Sequence, residues 1–262
     1  MYKDYINIEN VKKAFKNYHG AFPFDHCVVD NFFKDEVAHK LSSDFPDFDD
    51  KIWHQYDNPI EIKKVSNLWN IFPPTTYNVF NDLNLPEFVS FISDLSKINP
   101  LYPDNGLNGG GWHMLNNGGK LNPHLDYSMH PKVPYQRKIN LIIYLNQNWD
   151  ESWGGELGLW SSTDNGKKPK QIETIVPPLF NRAIFFDTTM HSWHGLYNVV
   201  NSPEGEYRKS MAIYYLTNPP KNVDSRGKAL FAPTEDQVGN KDIEELIEKR
   251  ASVESASDVY KK

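Results

Sequence analysis

Pro123-His124-Leu125-Asp126-Tyr127 and, further on, Ala183-Ile184-Phe185-Phe186-Asp187-Thr188-Thr189-Met190-His191-Ser192-Trp193-His194-Gly195 bracket a region of short apolar runs. His124 and Asp126 are two residues apart, so on an extended backbone both side chains leave one face and can close on a single ion. A third ligand has to come from elsewhere, and residues 183–195 offer both His191 and His194 just beyond an apolar run. Two histidines and one carboxylate hold a metal from one side and leave coordination positions open, the arrangement of non-haem Fe(II) oxygenases.

The surrounding sequence has the texture of an all-β domain. Runs of strand length fall at 112–115, 121–127, 138–145, 156–160, 172–176, 182–186 and 208–216. Asn116 to Gly119, Gly154-Gly155 and the 164–166 turn supply the left-handed backbone positions that hairpins need. No strand–helix–strand alternation appears, which disfavours a doubly wound parallel sheet and points to a sandwich or barrel, with a jelly roll able to return the chain at His194.

Upstream, residues 1–100 read as a mostly helical support. Val11, Ala14, Phe15 and Tyr18 are spaced for a helix ending before Gly20, and 23–31 reads as a strand covered on both sides. Val37, Ala38, Leu41 and Phe45 predict a second helix that stops at Pro46. Phe88, Phe91, Ile92 and Leu95, with Pro86 in the first turn, predict another. Between Asp47 and Pro74 the pattern dissolves into charges and aromatics, including Trp53 and Trp69, and reads as a long ordered excursion. Residues 101–218 form the expected core. From 219 to 262 a tail follows, with Asp242 to Glu245 as a capping-box pattern, one docking helix and a solvated final dozen residues. The three segments are read as one structural domain.

Composition narrows the function classes. With 39% hydrophobic residues and seven Trp in 262, a core can form without covalent staples, and the single Cys27 excludes an internal disulfide or a cysteine-rich zinc site. A formal charge of -6 and the lack of a basic stripe argue against nucleic acid. No apolar run reaches membrane-spanning length and no apolar segment marks a signal peptide, so a cytoplasmic protein is expected.

A lone His-x-Asp pair is a weak motif, because most such pairs are surface turns. Here it follows the Gly118-Gly119 turn and precedes a strong strand, which places it at a sheet end. Arg208, Ser210, Ala212 and Tyr214 share one strand face, as do Asn140, Ile142 and Tyr144. An arginine on the inward face needs an anionic partner, such as a dicarboxylate gripped by two parallel hydrogen bonds; on the rim it would reach solvent.

Over residues 109–218 these motifs resemble, in order, those of the Fe(II)/2-oxoglutarate dioxygenases, most closely the prolyl 4-hydroxylase type. The carrying segments are His124-Leu125-Asp126, Tyr144 to Trp149 followed by Gly154 to Leu159, Phe180 to Phe186 followed by Ser192 to Gly195, and Arg208 with Ser210. The resemblance implies a double-stranded β-helix with buttressing helices. It assigns His124, Asp126 and His194 as catalytic Fe(II) ligands, in preference to His191. Arg208 and Tyr144 would bind the distal carboxylate of 2-oxoglutarate, with Ser210 beside Arg208 and Leu157 as an apolar wall. Dioxygen is the implied cosubstrate and ascorbate a candidate accessory reductant. The implied reaction decarboxylates 2-oxoglutarate to succinate and hydroxylates a C–H bond of a peptidyl proline or a small metabolite. Asp126 occupies the position where halogenases carry a small residue, so hydroxylation is expected. The strand ahead of the metal pair reads Trp112-His113-Met114-Leu115, where many members place a tyrosine that contacts 2-oxoglutarate.

Other candidates have plainer readings. His113 and His130 read as sheet and loop histidines; Trp53, Trp69 and residues 128–136 are read either as shaping a substrate cleft or as local packing, and the prolines of 128–136 fit a lid. The rival functions are a jelly-roll binding protein of lectin or cupin type with a structural ion, and a zinc hydrolase on the same ligands. The first has no use for a buried carboxylate anchor and the second lacks an assigned general base.

Overall fold

The computed structural model describes residues 1–163 and 165–252; Asp164 of the expected 164–166 turn and all but the first two of the final dozen residues lie outside them. The helices are α1 (Tyr2–Tyr5), α2 (Ile8–Phe15), α3 (Asp35–Ser43), α4 (Pro74–Asn84), α5 (Pro86–Ser96) and α6 (Lys241–Ala251). The strands are β1 (His26–Val29), β2 (His54–Asn58), β3 (Glu61–Ser66), β4 (Tyr102–Pro103), β5 (Gly111–Leu115), β6 (Lys120–Leu121), β7 (His124–Leu125), β8 (Gln136–Tyr144), β9 (Leu157–Ser162), β10 (Pro169–Val176), β11 (Ala183–Asp187), β12 (Trp193–Leu196), β13 (Arg208–Thr217) and β14 (Leu230–Phe231).

Among the described residues the strands form two antiparallel sheets. The larger runs β1-β11-β8-β13-β5-β3-β2, with β4 on β13 and β6 on β3; the smaller runs β10-β9-β12-β7-β14. The sheets face each other as a jelly roll. Strand parity divides the larger sheet cleanly. Ile139, Leu141 and Ile143 of β8, with Met211, Ile213 and Tyr215 of β13, pack outward onto Phe15, Phe80, Phe88 and Ile92 in one apolar cluster. Their alternates Asn140, Ile142, Ser210, Ala212 and Tyr214 face the space between the sheets. One strand period thus builds a core on one face and a site on the other.

The excursion predicted at 47–74 is instead a β2–β3 hairpin that extends the larger sheet. The register pairs Val65 with His113 and Lys64 with Met114. Its apolar alternation is missing because the inward positions Glu61 and Lys63 face a polar cavity. Helix α4 was also absent from the sequence reading, although Thr76, Val79, Phe80 and Leu83 are all buried at helical spacing. The 121–127 strand breaks into β6 and β7, and β12 carries His194. In the tail, α6 docks through Ile247 against Ile60 and Phe231. Its cap is Asn240, whose side chain accepts from the Asp242 and Ile243 amides, rather than Asp242. Among the described residues no helix is long and apolar enough to cross a membrane.

Candidate active site

β7 and β12 are antiparallel neighbours, and His124 sits directly opposite His194. Gly195 permits this approach, because a Cβ there would meet the Asn122 carbonyl oxygen at 2.7 Å. The imidazole centroids lie 4.3 Å apart. One ligand atom each from His124, Asp126 and His194 fall within 4.8 Å of one another, all three residues buried. His124 Nδ1 donates to the Asn122 carbonyl at 3.0 Å and His194 Nδ1 to the Ser192 carbonyl at 2.9 Å. A carbonyl only accepts, so the proton is held on each Nδ1 and the Nε2 lone pairs are presented to Asp126, at 3.8 and 3.6 Å. The donor set fits a divalent metal of the kind that two histidines and a carboxylate bind. His191, three residues early, is exposed and bonds the Ser162 hydroxyl instead.

Electrostatics keep His124 and Asp126 in the ligating form. Burial, then the neighbouring His194, pushes the His124 imidazole down to about 3. Burial alone would raise Asp126, but His194, Arg137, His124 and the Tyr214 hydroxyl outweigh it and hold the carboxyl at about 2. Asn140 Nδ2 and the Tyr214 hydroxyl each donate to Asp126 at 3.3 Å, fixing its orientation.

The triad opens into a cavity of about 710 Å³, lined also by Leu157, Arg208 and Ser210. Arg208 is buried. Its Nε donates to the Gly155 carbonyl at 2.6 Å. A Cβ on Gly155 would meet the Arg208 Cδ at 2.9 Å, so this glycine makes room for the arginine stem. Tyr144 lies with its ring 4.9 Å from the guanidinium carbon, and among the described residues its buried hydroxyl has no hydrogen-bond partner. Burial lowers the Arg208 pKa and raises that of Tyr144. A guanidinium and a hydroxyl side by side, inside the fold, are two donors from which a carboxylate can accept.

The cavity also takes residues that the sequence reading left out. The sheet histidine His113 and the loop histidine His130 both line it, as do Met129 and Pro131 from the 128–136 loop. Burial and then the fields of Lys63 and Arg208 push His113 down to about 3. Arg137 packs between the rings of Tyr127 and Tyr214, at 3.3 and 3.5 Å, and bonds the Tyr127 hydroxyl and the Asn108 carbonyl. Counting back by twos from Asn140 gives Lys138, so parity would have turned Arg137 away. The β8–β13 ladder slips between Tyr215 and Leu216 and re-aims it. Trp53 and Trp69 pack locally, Trp53 on Trp112 and Trp69 on Phe72, Tyr77 and Phe80.

Residues 110–216 match the family model of the 2OG-Fe(II) oxygenase superfamily. Among characterised relatives, the chain is 27% identical over 217 residues to prolyl 3-hydroxylase OGFOD1 of Mus musculus, covering 76% of this chain and 34% of that one. It is 29% identical over 107 residues to prolyl 3-hydroxylase OGFOD1 of Xenopus laevis, covering 39% and 20%. The chain therefore spans about a third or less of the length of these relatives. Among solved structures, a prolyl-4-hydroxylase from Pseudomonas putida superposes with a TM-score of 0.52 at 14% identity, over 79% of this chain and 98% of that one. A prolyl hydroxylase from Trichoplax adhaerens, in complex with a hypoxia inducible factor peptide fragment, gives 0.51 at 13%, over 80% and 88%. At such identities these structures establish a shared fold.

Proposed function

We propose, from the match of residues 110–216 to the 2OG-Fe(II) oxygenase family model, that the protein hydroxylates a prolyl residue of a peptide or protein, with Fe(II) held by His124, Asp126 and His194. The observation that carries this is the convergence of three buried ligand atoms within 4.8 Å, in a cavity that also contains the buried Arg208. A structural-ion binding protein has no need of such an anchor, and a zinc hydrolase would place a general base near the metal.

When bound, Fe(II) supplies the oxidising chemistry, in which dioxygen decarboxylates 2-oxoglutarate to succinate and carbon dioxide and one oxygen atom enters a substrate C–H bond. The residues of this chain bind and orient. Arg208 and Tyr144 grip the far carboxylate of 2-oxoglutarate, Ser210 and Leu157 flank it, and Leu157, Ile142 and Ala212 keep the pocket walls apolar. Asn140 and Tyr214 hold Asp126 in its ligating direction. Arg137, stacked between Tyr127 and Tyr214 beside Asp126, borders the place where the reacting group enters. The sequence relatives carry the name prolyl 3-hydroxylase, and their identity to this chain exceeds that of the solved 4-hydroxylase, so the ring C3 is the favoured position.

Succinate release against a panel of proline-containing peptides, followed by mass spectrometry and NMR of the product, tests this reading. A 16-dalton gain at proline, about the mass of one oxygen atom inserted as the proposed chemistry requires, is expected on at least one peptide. Succinate release that no prolyl peptide stimulates, alongside stimulation by a small metabolite, would replace the peptide assignment. Ascorbate is expected to sustain turnover rather than to act in each cycle.

A further inference from the structure

We infer that Lys63 is a second carboxylate-binding residue of this pocket, working from the β3 wall as Arg208 works from β13. The inference rests on the 2-oxoglutarate reading above. Lys63 lies on the cavity-facing side of β3 with Glu61 and Val65. The registers place Lys64 opposite Met114 and Arg208 opposite Leu115, so Lys63, Leu115 and Arg208 occupy one row across three adjacent strands. Two strand spacings separate the two cations at the backbone, roughly 10 Å. His113, between their strands, feels both of them.

The Lys63 side chain is only 15% exposed, and among the described residues its one ion pair is with Glu61 Oε2 at 3.5 Å. That is longer than a good charge-assisted hydrogen bond. The same carboxylate also serves Arg250, at 2.9 Å through Oε1. Among the described residues, Lys63, Arg137, Arg208 and Lys228 line the cavity together with the carboxylates of Glu61 and Asp126. Asp126 is committed to the His124–His194 triad. A metal there would add positive charge, which favours an anionic group beside Lys63. An ammonium with three donors, a carboxylate oxygen at 3.5 Å and the face of the Tyr56 ring at 5.1 Å, held in the cavity that contains the triad, is suited to a further carboxylate. That carboxylate belongs either to the metal-side end of 2-oxoglutarate or to the acceptor substrate.

The test compares wild type, Lys63→Met and Lys63→Arg, loaded with Fe(II) without oxygen and titrated with 2-oxoglutarate or pyruvate. The visible charge-transfer band and calorimetry are the readouts. Pyruvate carries only the metal-side carboxylate. If Lys63 holds that group, Lys63→Met weakens both ligands about tenfold or more, consistent with loss of a charge-assisted hydrogen bond. Lys63→Arg then stays near wild type, and Fe(II) affinity is unchanged. If the carboxylate is the substrate's, 2-oxoglutarate binding is unchanged in Lys63→Met. Wild type then releases succinate faster with prolyl peptides flanked by Glu than by Lys, and the variant loses that preference through KM. Either result supports the inference. Unchanged cosubstrate affinity together with unchanged peptide preference overturns it. Should Lys63→Met not fold, Lys63→Gln takes its place in the same comparison. A wild type that gives no band at all overturns the oxygenase reading, and this inference with it.

Discussion

At the residue scale, Arg208 and His113 each give a separate expectation. Arg208 is buried, with its Nε tied to Gly155 and Tyr144 beside it. Arg208→Ala should weaken 2-oxoglutarate binding by about 2–5 kcal/mol, because truncation leaves a carboxylate buried without its partner. Fe(II) affinity should hardly change, which separate titrations of metal and cosubstrate will show; equal loss of both would mean that Arg208 is structural. The histidines give a pH expectation. His113 is depressed to about 3 in the fold, whereas an unfolded histidine titrates near 6.5. Between those values the unfolded chain binds the extra proton, so this group's contribution is full above about 6.5 and is lost as pH falls toward 3. Urea unfolding of the metal-free protein across that window should therefore show stability rising with pH, and His113→Gln should reduce the slope by about one proton. An unchanged slope would mean that His113 is not held neutral by its surroundings. His124 and Asp126 were legible as a pair because a spacing of two puts both on one face of an extended chain. Arg137 was not, because a slipped ladder reverses the parity from which its direction would be read.

Elements were legible where one face is apolar and opaque where both faces are occupied for other reasons. β8, β11 and β13 announce themselves, since their outward alternates Ile139, Leu141, Phe185, Met211 and Ile213 are fully buried. The β2–β3 hairpin does not, because Glu61 and Lys63 point into a polar cavity and Lys64 lies on the opposite face. Helix α4 could have been found from Thr76, Val79, Phe80 and Leu83; the loss of pattern upstream obscured its start. Phe185 shows how strongly the helical layer depends on the sheet. Its ring meets Phe15 at 5.0 Å and Phe32 at 6.0 Å, joining α2 and the segment after β1 to β11. Phe185→Ala should cost about 3–5 kcal/mol of unfolding free energy. A loss below about 1 kcal/mol, measured by denaturant titration, would show that this layer is not packed as described.

For the whole molecule, the jelly roll and the order of its motifs were readable from 109 to 218, and the support helices in part. What the sequence hid is how the chain ends contribute. β2 and β3 bring Glu61 and Lys63 to the cavity, and the tail brings Phe231 and Arg250. Those contacts join residues far apart in sequence, which no local period reports. They also set the character of the site, since the triad and Arg208 lie within the family segment while much of the cavity's charged wall lies outside it.

The central claim is that His124, Asp126 and His194 form one Fe(II) centre served by 2-oxoglutarate. Anaerobic addition of Fe(II) and 2-oxoglutarate to the purified protein, read as the weak visible charge-transfer band, tests it most directly. Wild type and His191→Ala should give the band, and His194→Ala should not. Absence of the band in wild type, or its persistence at full strength in His194→Ala, would contradict the assignment.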